Sequence, residues 1–396
     1  MQENSLQAAT PSPYNAGPAA AAAVARVMLT DFRCYAAETL SLHPDPARPV
    51  VLTGPNGAGK TNVLEALSLL GPGRGLRRAR LADAARIGGA GGWSVAVRLR
   101  LGGETVDLGT GMVAAAADGA ADEPRRRCRI NGAEAAGPTD FEDQVAVIWL
   151  TPAMDGLFTD GAAVRRRFVD RFTNQIMPGH ARALSAFETA QRERQTLLAE
   201  RGYLGADPGW LRALEGRMAE HGVAVAGARI EAVRRLQETV DAGPETAFPK
   251  ARLTLEGGLD ASVAGAAGDQ AAAQAAYLKQ LKAARAGDAR TGRTEHGPHR
   301  SDLAVTHAPK LMPARLCSTG EQKALLVGLV LAQARLTAAR RGLAPLVLLD
   351  EIAAHLDEAR RAALFDALKA LGGQAWLTGT DASLFRALEG SAQFFH

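Results

Sequence analysis

The stretch Pro49-Val-Val-Leu-Thr-Gly54-Pro-Asn-Gly-Ala-Gly-Lys60-Thr61 decides how this chain is read. A short apolar, β-branched run is a buried strand. It passes straight into G-x-x-x-x-G-K-[ST], and a helical stretch from Asn62 to Leu70 follows. Gly54, Gly57 and Gly59 allow the backbone to wrap a phosphate chain closely, so that successive amides point at its oxygens. The helix N-terminus adds positive potential. Lys60 supplies a point charge to the β- and γ-phosphates, and the Thr61 hydroxyl is the expected Mg²⁺ ligand. The plain alternative is a glycine-rich turn before a helix. It is disfavoured because the strand and helix stand where phosphate binding requires them, and because lysine is scarce, with seven in 396 residues.

Outward from this loop, the composition permits a large core: 47% of residues are apolar, enough for two lobes. The apolar run Ala324 to Ala332 is about half the length of a bilayer span, so no membrane partner is expected. The formal charge of +4 is too mild to indicate a polyanionic partner by itself. Cys34, Cys128 and Cys317 are far apart and form no CxxC pair, which fits a reducing cytoplasm. Residues 1–23 are Ala-, Pro- and Ser-rich and read as a disordered tail. Strand texture with one phosphate motif occupies 24–155. Helical texture fills 156–294, in runs such as Ala181 to Arg201 and Trp210 to Val240, and strand and helix alternate again over 295–396. The expected fold is α/β: an ATPase lobe in two sequence segments, with a mostly helical second lobe between them.

A second acidic motif supports this organisation. Leu346-Val-Leu-Leu-Asp350-Glu351 is an apolar strand ending in two carboxylates. Asp350 is placed in the Mg²⁺ shell, and Glu351 is placed to orient and deprotonate the attacking water. With Ala353-Ala-His-Leu-Asp357 behind it, the pair resembles the ABC-type ATPases. Some thirty residues upstream, Ser318-Thr-Gly-Glu-Gln322 opens a helix. It reads as a capping box of Ser318 with Glu321, and also resembles the ABC signature, whose serine hydroxyl, Gly320 amide and helix dipole face a γ-phosphate held by another subunit. On that reading neither half-site is complete alone, and ATP holds a homodimer together.

The two phosphate motifs lie about 290 residues apart, too far for a transporter nucleotide-binding domain and too close for the coiled coil of an SMC protein. Asp31-Phe-Arg-Cys-Tyr35, Gly54 to Asn62, Gly73-Arg-Gly75, Arg129-Ile-Asn-Gly132, Val164-Arg-Arg-Arg-Phe-Val-Asp170, Glu295-His-Gly-Pro-His-Arg-Ser-Asp302 and Cys317 to Lys323 together resemble the RecF family of DNA replication and repair ATPases. The resemblance runs from about residue 24 to 396. It implies an ATP-dependent homodimer that binds duplex DNA at single-strand gaps and works with RecR and RecO to assist RecA. It also implies weak DNA-stimulated ATP hydrolysis as a release switch. By the same resemblance, Asn56, Gly57, Ala58, Gly59, Lys60, Thr61 and Asn62 contact nucleotide, and Ser318, Gly320 and Gln322 contact it in trans. The segment Leu377-Thr-Gly-Thr-Asp381 departs from many ABC ATPases in having no histidine to sense the γ-phosphate.

Arginines cluster at Arg74 to Arg80, Arg125 to Arg129 and Arg165 to Arg171. Each cluster could be solvated surface. Arg74 and Arg78 are the leading DNA-binding candidates because they trail the phosphate-loop helix. Two other readings stand beside the repair ATPase: a membrane transporter's motor subunit, which the long middle segment disfavours, and an SMC-like tether that binds ATP without turnover.

Overall fold

The computed structural model describes residues 20–113 and 125–396, so most of the expected N-terminal tail lies outside the described residues. The chain divides into two compact units, one formed by Met1–Pro152 with Ala334–His396 and the other by Ala153–Gln333.

The first unit begins with strands β1 (Ala20–Phe32), β2 (Tyr35–Ser41) and β3 (Val50–Thr53), helix α1 (Lys60–Ser68), and then β4 (Trp93–Leu101), β5 (Glu104–Met112), β6 (Arg126–Ile130), β7 (Ala133–Ala135) and β8 (Val147–Leu150). β1 starts at Ala20, inside the segment read as tail. Its alanines lack the bulk that marks a strand in sequence, yet Ala22 to Val24 are buried and paired with Arg100 to Leu101 and Leu99 of β4.

The second unit follows with α2 (Ala162–Ile176), α3 (His180–Gly205), α4 (Pro208–Ala242), β9 (Ala251–Glu256), α5 (Gly258–Gly265), α6 (Gln270–Thr291), β10 (Asp302–His307), β11 (Met312–Pro313) and α7 (Thr319–Arg341). The boundary between units falls within α7. The chain closes with β12 (Leu343–Ala344), β13 (Leu346–Leu349), α8 (Glu358–Leu371), β14 (Ala375–Gly379) and β15 (Gln393–Phe395).

Two sheets build the first unit. One, mostly antiparallel, runs β12-β1-β4-β5-β6-β7 with β2 also on β1. The other runs β15-β3-β14-β13-β8 and is parallel throughout. Its strands Val50–Thr53, Leu346–Leu349 and Ala375–Gly379 are buried along their whole length, as expected when both faces of a parallel sheet are covered. The register is in step: Leu349 lies beside Leu377, and Gly379 beside Thr53. β3 and β14 therefore end level, and β13 ends two residues earlier, so that Asp350 falls at this carboxyl edge, where ligands of open α/β sheets bind.

The second unit is helical except for the sheet β11-β10-β9. Helices α3, α4 and α6 share a core that includes Phe187, Met218, Val223, Tyr277 and Leu281. Fully buried Arg194 ties the three together: Nε donates to Glu215 at 3.2 Å, Nη1 to Asp288 at 2.6 Å and Nη2 to the Leu281 carbonyl at 2.9 Å. Glu215 also accepts two bonds from Arg285 at 2.9 and 2.6 Å. With both carboxylates matched, these buried charges are fully hydrogen-bonded.

Candidate functional site

The phosphate loop forms between β3 and α1. Gly57 and Gly59 have φ of 85° and 97°, a region that costs a side chain about 1–2 kcal/mol. Gly59 has a second constraint. A Cβ there would stand 3.0 Å from Cys34 Sγ and closer still to the Tyr35 hydroxyl, both carried by the hairpin joining β1 and β2. Burial in this contact pushes the Tyr35 phenol up to about 12, so it stays neutral beside the loop. Asn62 donates to Cys34 Sγ at 3.0 Å.

Lys60 is buried and its ammonium donates to the Gly54 and Pro55 carbonyls at 2.8 and 2.9 Å. The lysine thus lies along its own loop, with its charge held inside the concavity. Thr61 Oγ1 donates to Asp350, at 2.9 Å from Oδ1 and 3.2 Å from Oδ2, across 289 residues of sequence. Between their two strands runs β14, whose buried Thr378 donates to Asp350 Oδ1 at 2.8 Å and accepts the Glu351 amide at 2.9 Å. Glu351 itself has φ 54°, an unfavourable conformation for a branchless but full-length side chain, and the Thr378 bond holds it there. Sequence reasoning missed Thr378 because it sought a histidine in Leu377 to Asp381. The signal available was position: Thr378 directly follows Leu377, which pairs with Leu349.

Helix α1 is anchored from behind. Glu65, almost fully buried, accepts from Arg33 Nε at 2.8 Å and Nη2 at 2.5 Å. Arg77 donates to Asn62 Oδ1 at 2.8 Å and lies 3.5 Å from Glu65. Arg77 thus contacts the phosphate-loop helix. Arg74 and Arg78 are exposed, and Arg78 sits at φ 57°. Arg126 is committed to structure: it donates to the Gly73 carbonyl and Thr110 Oγ1, both at 2.8 Å, and to the Leu69 carbonyl.

In the second unit, Ser318 caps α7. Its amide and hydroxyl both donate to Glu321 Oε2, at 2.9 and 3.0 Å, while Glu321 Oε1 pairs with Lys310. The Lys310 bond, together with those from Ser318, holds the Glu321 carboxyl down at about 2. Gly320 is exposed at the helix start. Gln322 turns inward, donating to the Cys317 carbonyl at 3.0 Å and the Arg315 carbonyl at 3.4 Å, so its amide shapes the loop before the helix.

Arg165, Arg166 and Asp170 form one clasp with the block Glu295–Asp302. Arg165 grips Asp302 at 2.6 and 2.9 Å, Arg166 donates to the Ser301 carbonyl at 2.7 Å, and Arg229 joins Asp170, at 2.7 and 2.9 Å, to the Pro298 carbonyl at 2.5 Å. Although burial opposes ionisation of Asp170, bonds from His180 and Arg229 win and lower its pKa.

A glycine loop and helix at the carboxyl edge of a parallel sheet, facing a buried Asp from the strand next but one, define a P-loop ATPase fold of the ABC type. The RecF/RecN/SMC N-terminal domain profile matches residues 23–389. The DNA replication and repair protein RecF of Mesorhizobium japonicum is 50% identical over 372 residues, 94% of this chain and 95% of that protein. RecF of Rhizobium rhizogenes is likewise 50% identical over 376 residues, covering 94% and 96%. A solved structure of the recombination mediator protein RecF-ATPrS in the RecFOR pathway superimposes with a TM-score of 0.79 at 18% identity, covering 93% of this chain and 95% of that one. The chain belongs to the RecF family, as its sequence motifs implied.

Proposed function

We propose that this protein is a cytoplasmic, ATP-switched homodimer that binds duplex DNA at single-strand gaps and, with RecR and RecO, assists RecA in recombinational repair. The observation that carries the reading is the convergence of Thr61 and Asp350 at 2.9 Å beside the glycine loop. A hydroxyl and a carboxylate are the hard oxygen donors that Mg²⁺ takes alongside water and phosphate oxygens, so the residues present fit this ion. Thr61 and Asp350 would hold it, and when bound it offsets charge on the phosphates. Among the described residues no helix is long and apolar enough to cross a membrane.

The residues of the chain then divide the work. Amides of Gly54 to Asn62, including those of Asn56, Gly57, Ala58 and Gly59, cradle the phosphates. Lys60 exchanges its two carbonyl acceptors for phosphate oxygens. Glu351, held by Thr378, accepts a proton from the attacking water. Ser318 and Gly320 of a second copy close the site over the γ-phosphate, and Gln322 positions their loop from within. Hydrolysis removes that γ-phosphate contact and releases the dimer, so turnover is slow and serves as a switch, stimulated by DNA. Two relatives at 50% identity named for DNA replication and repair support the DNA partner.

Light scattering with and without non-hydrolysable ATP tests this. The parent is expected to double in mass with nucleotide and Lys60→Ala to remain monomeric. A variant that dimerises like the parent removes the cradle from the mechanism.

A further inference from the structure

The outward face of α6 carries a stripe of cations without counter-charges. The helix buries Ala273, Tyr277, Leu281 and Asp288, spaced along one side. At 100° per residue, Lys279, Lys282 and Arg290 fall on the opposite side, and all three are exposed. Arg293 follows, also exposed, just past the left-handed Gly292 that ends the helix. Between Gln270 and Thr294 the sole acid is Asp288, and it is consumed by buried Arg194. The four cations make no ion pair among the described residues.

Helix α4 provides the contrast. Its exposed Arg234 is matched by Glu231 and Glu238, and its Arg217 by Glu193 of α3. Charge at Arg217 and Arg234 of α4 is thus neutralised locally, whereas Lys279 and Lys282 on α6 repel each other at i,i+3 with nothing to offset them. Two of the chain's seven lysines stand on this one face, in an otherwise arginine-rich protein.

We infer that this face of α6 is a polyanion-binding surface that takes the phosphodiester backbone of a nucleic acid without reading its bases. From Lys279 to Arg290 the stripe runs about 17 Å at 1.5 Å per residue. A duplex presents one negative charge per roughly 1.7 Å of axis, so every cation of the stripe finds a phosphate in that length. The exposed residues beside the cations include Ala275, Ala276, Ala283 and Ala286, which let a backbone approach closely. No exposed aromatic stands among them to stack on a base, so contact is sequence-independent. An anionic membrane fits less well. Interfacial helices insert bulky apolar side chains, and those of α6 face the protein core: Tyr277 and Leu281 are buried in it and Leu278 packs against it. The choice of DNA as the polyanion rests on the proposed function; the stripe itself does not.

The test compares the parent with Lys279→Gln/Lys282→Gln/Arg290→Gln in binding a fluorescent duplex across a salt series, with non-hydrolysable ATP present. Each lost phosphate contact removes about 0.9 from the slope of log affinity against log salt, so the triple variant is expected to lose roughly two to three, with affinity down at least tenfold at moderate salt. The charge-keeping Lys279→Arg/Lys282→Arg is expected to bind as the parent does, and all variants to dimerise with nucleotide. An unchanged slope, equal loss in the arginine variant, or loss of dimerisation in the triple variant overturns the surface. So does loss of binding to phosphatidylserine vesicles with duplex binding intact. A parent that dimerises but binds no duplex defeats the DNA reading instead, a result separable from the others.

Discussion

Thr378→Val isolates the bridge from β14 to Asp350 and the Glu351 amide. The substitution is nearly isosteric at a fully buried position, so packing is kept and two hydrogen bonds are lost: the one donated to Asp350 and the one accepted from the Glu351 amide. Asp350 keeps its bond from Thr61. The Glu351 amide keeps nothing equivalent, and an unsatisfied buried donor costs about 1–3 kcal/mol. That loss should appear as a lower urea midpoint with an unchanged slope. Catalysis should suffer more than binding. Glu351 is held at φ 54° and, once released, relaxes toward negative φ, which carries its carboxylate away from the attacking water. Single-turnover phosphate release is expected to fall at least about tenfold, while nucleotide affinity, which the proposed function assigns to Lys60 and the glycine loop, stays within roughly threefold; a tenfold change is only about 1.4 kcal/mol. Thr378→Ser, which keeps the hydroxyl, should recover most of the rate. A valine variant with the parent's midpoint and the parent's rate would show that the bridge matters to neither stability nor chemistry.

Other outcomes follow from the same geometry. Glu351→Gln should bind nucleotide and accumulate dimer while phosphate release falls at least about a hundredfold, the scale of a lost general base; turnover at the parent rate excludes that role. For the Glu321 cap the sign is that of a depressed carboxyl: its contribution is present above the ordinary glutamate range and is lost as pH falls through about 2. Lys310→Met should therefore shift the Glu321 titration, followed by carboxyl NMR, upward toward ordinary glutamate. On the proposed dimer it should also weaken nucleotide-dependent dimerisation, because the Glu321 charge loses its lysine beside the proposed γ-phosphate contact, and adding Glu321→Gln should restore it. A midpoint unmoved by Lys310→Met contradicts the pairing.

The strand and turn geometry of both motifs was legible in the sequence because it depends on local pattern. Glycines at fixed offsets after Val50 to Thr53, and an apolar run ending in Asp350-Glu351, each require a strand and a turn that a short window specifies. What escaped depends on partners. Arg165 and Arg166 read as part of a basic surface cluster, since no window shows that Asp302 and the Ser301 carbonyl stand opposite them. Arg126 read the same way and is instead the strut under Gly73 and Leu69. Strand β9 was missed in a segment that reads as helical, because Ala251–Glu256 is short and its pairing with Asp302–His307 spans the intervening α5 and α6. Conversely, the capping box at Ser318 was legible in full, because both of its members lie within four residues.

The strand that carries Thr378 also acts as a ruler. Because β14 lies between β3 and β13, the glycine loop and Asp350 are held two strand spacings apart, roughly 10 Å, by main-chain bonds that are indifferent to side-chain identity. Sequence may therefore drift widely around the site without altering its width. A slip of β14 by one residue is another matter: it would turn the hydroxyl to the opposite face of the sheet, leaving the acid and the loop correctly spaced but the Glu351 amide without its partner.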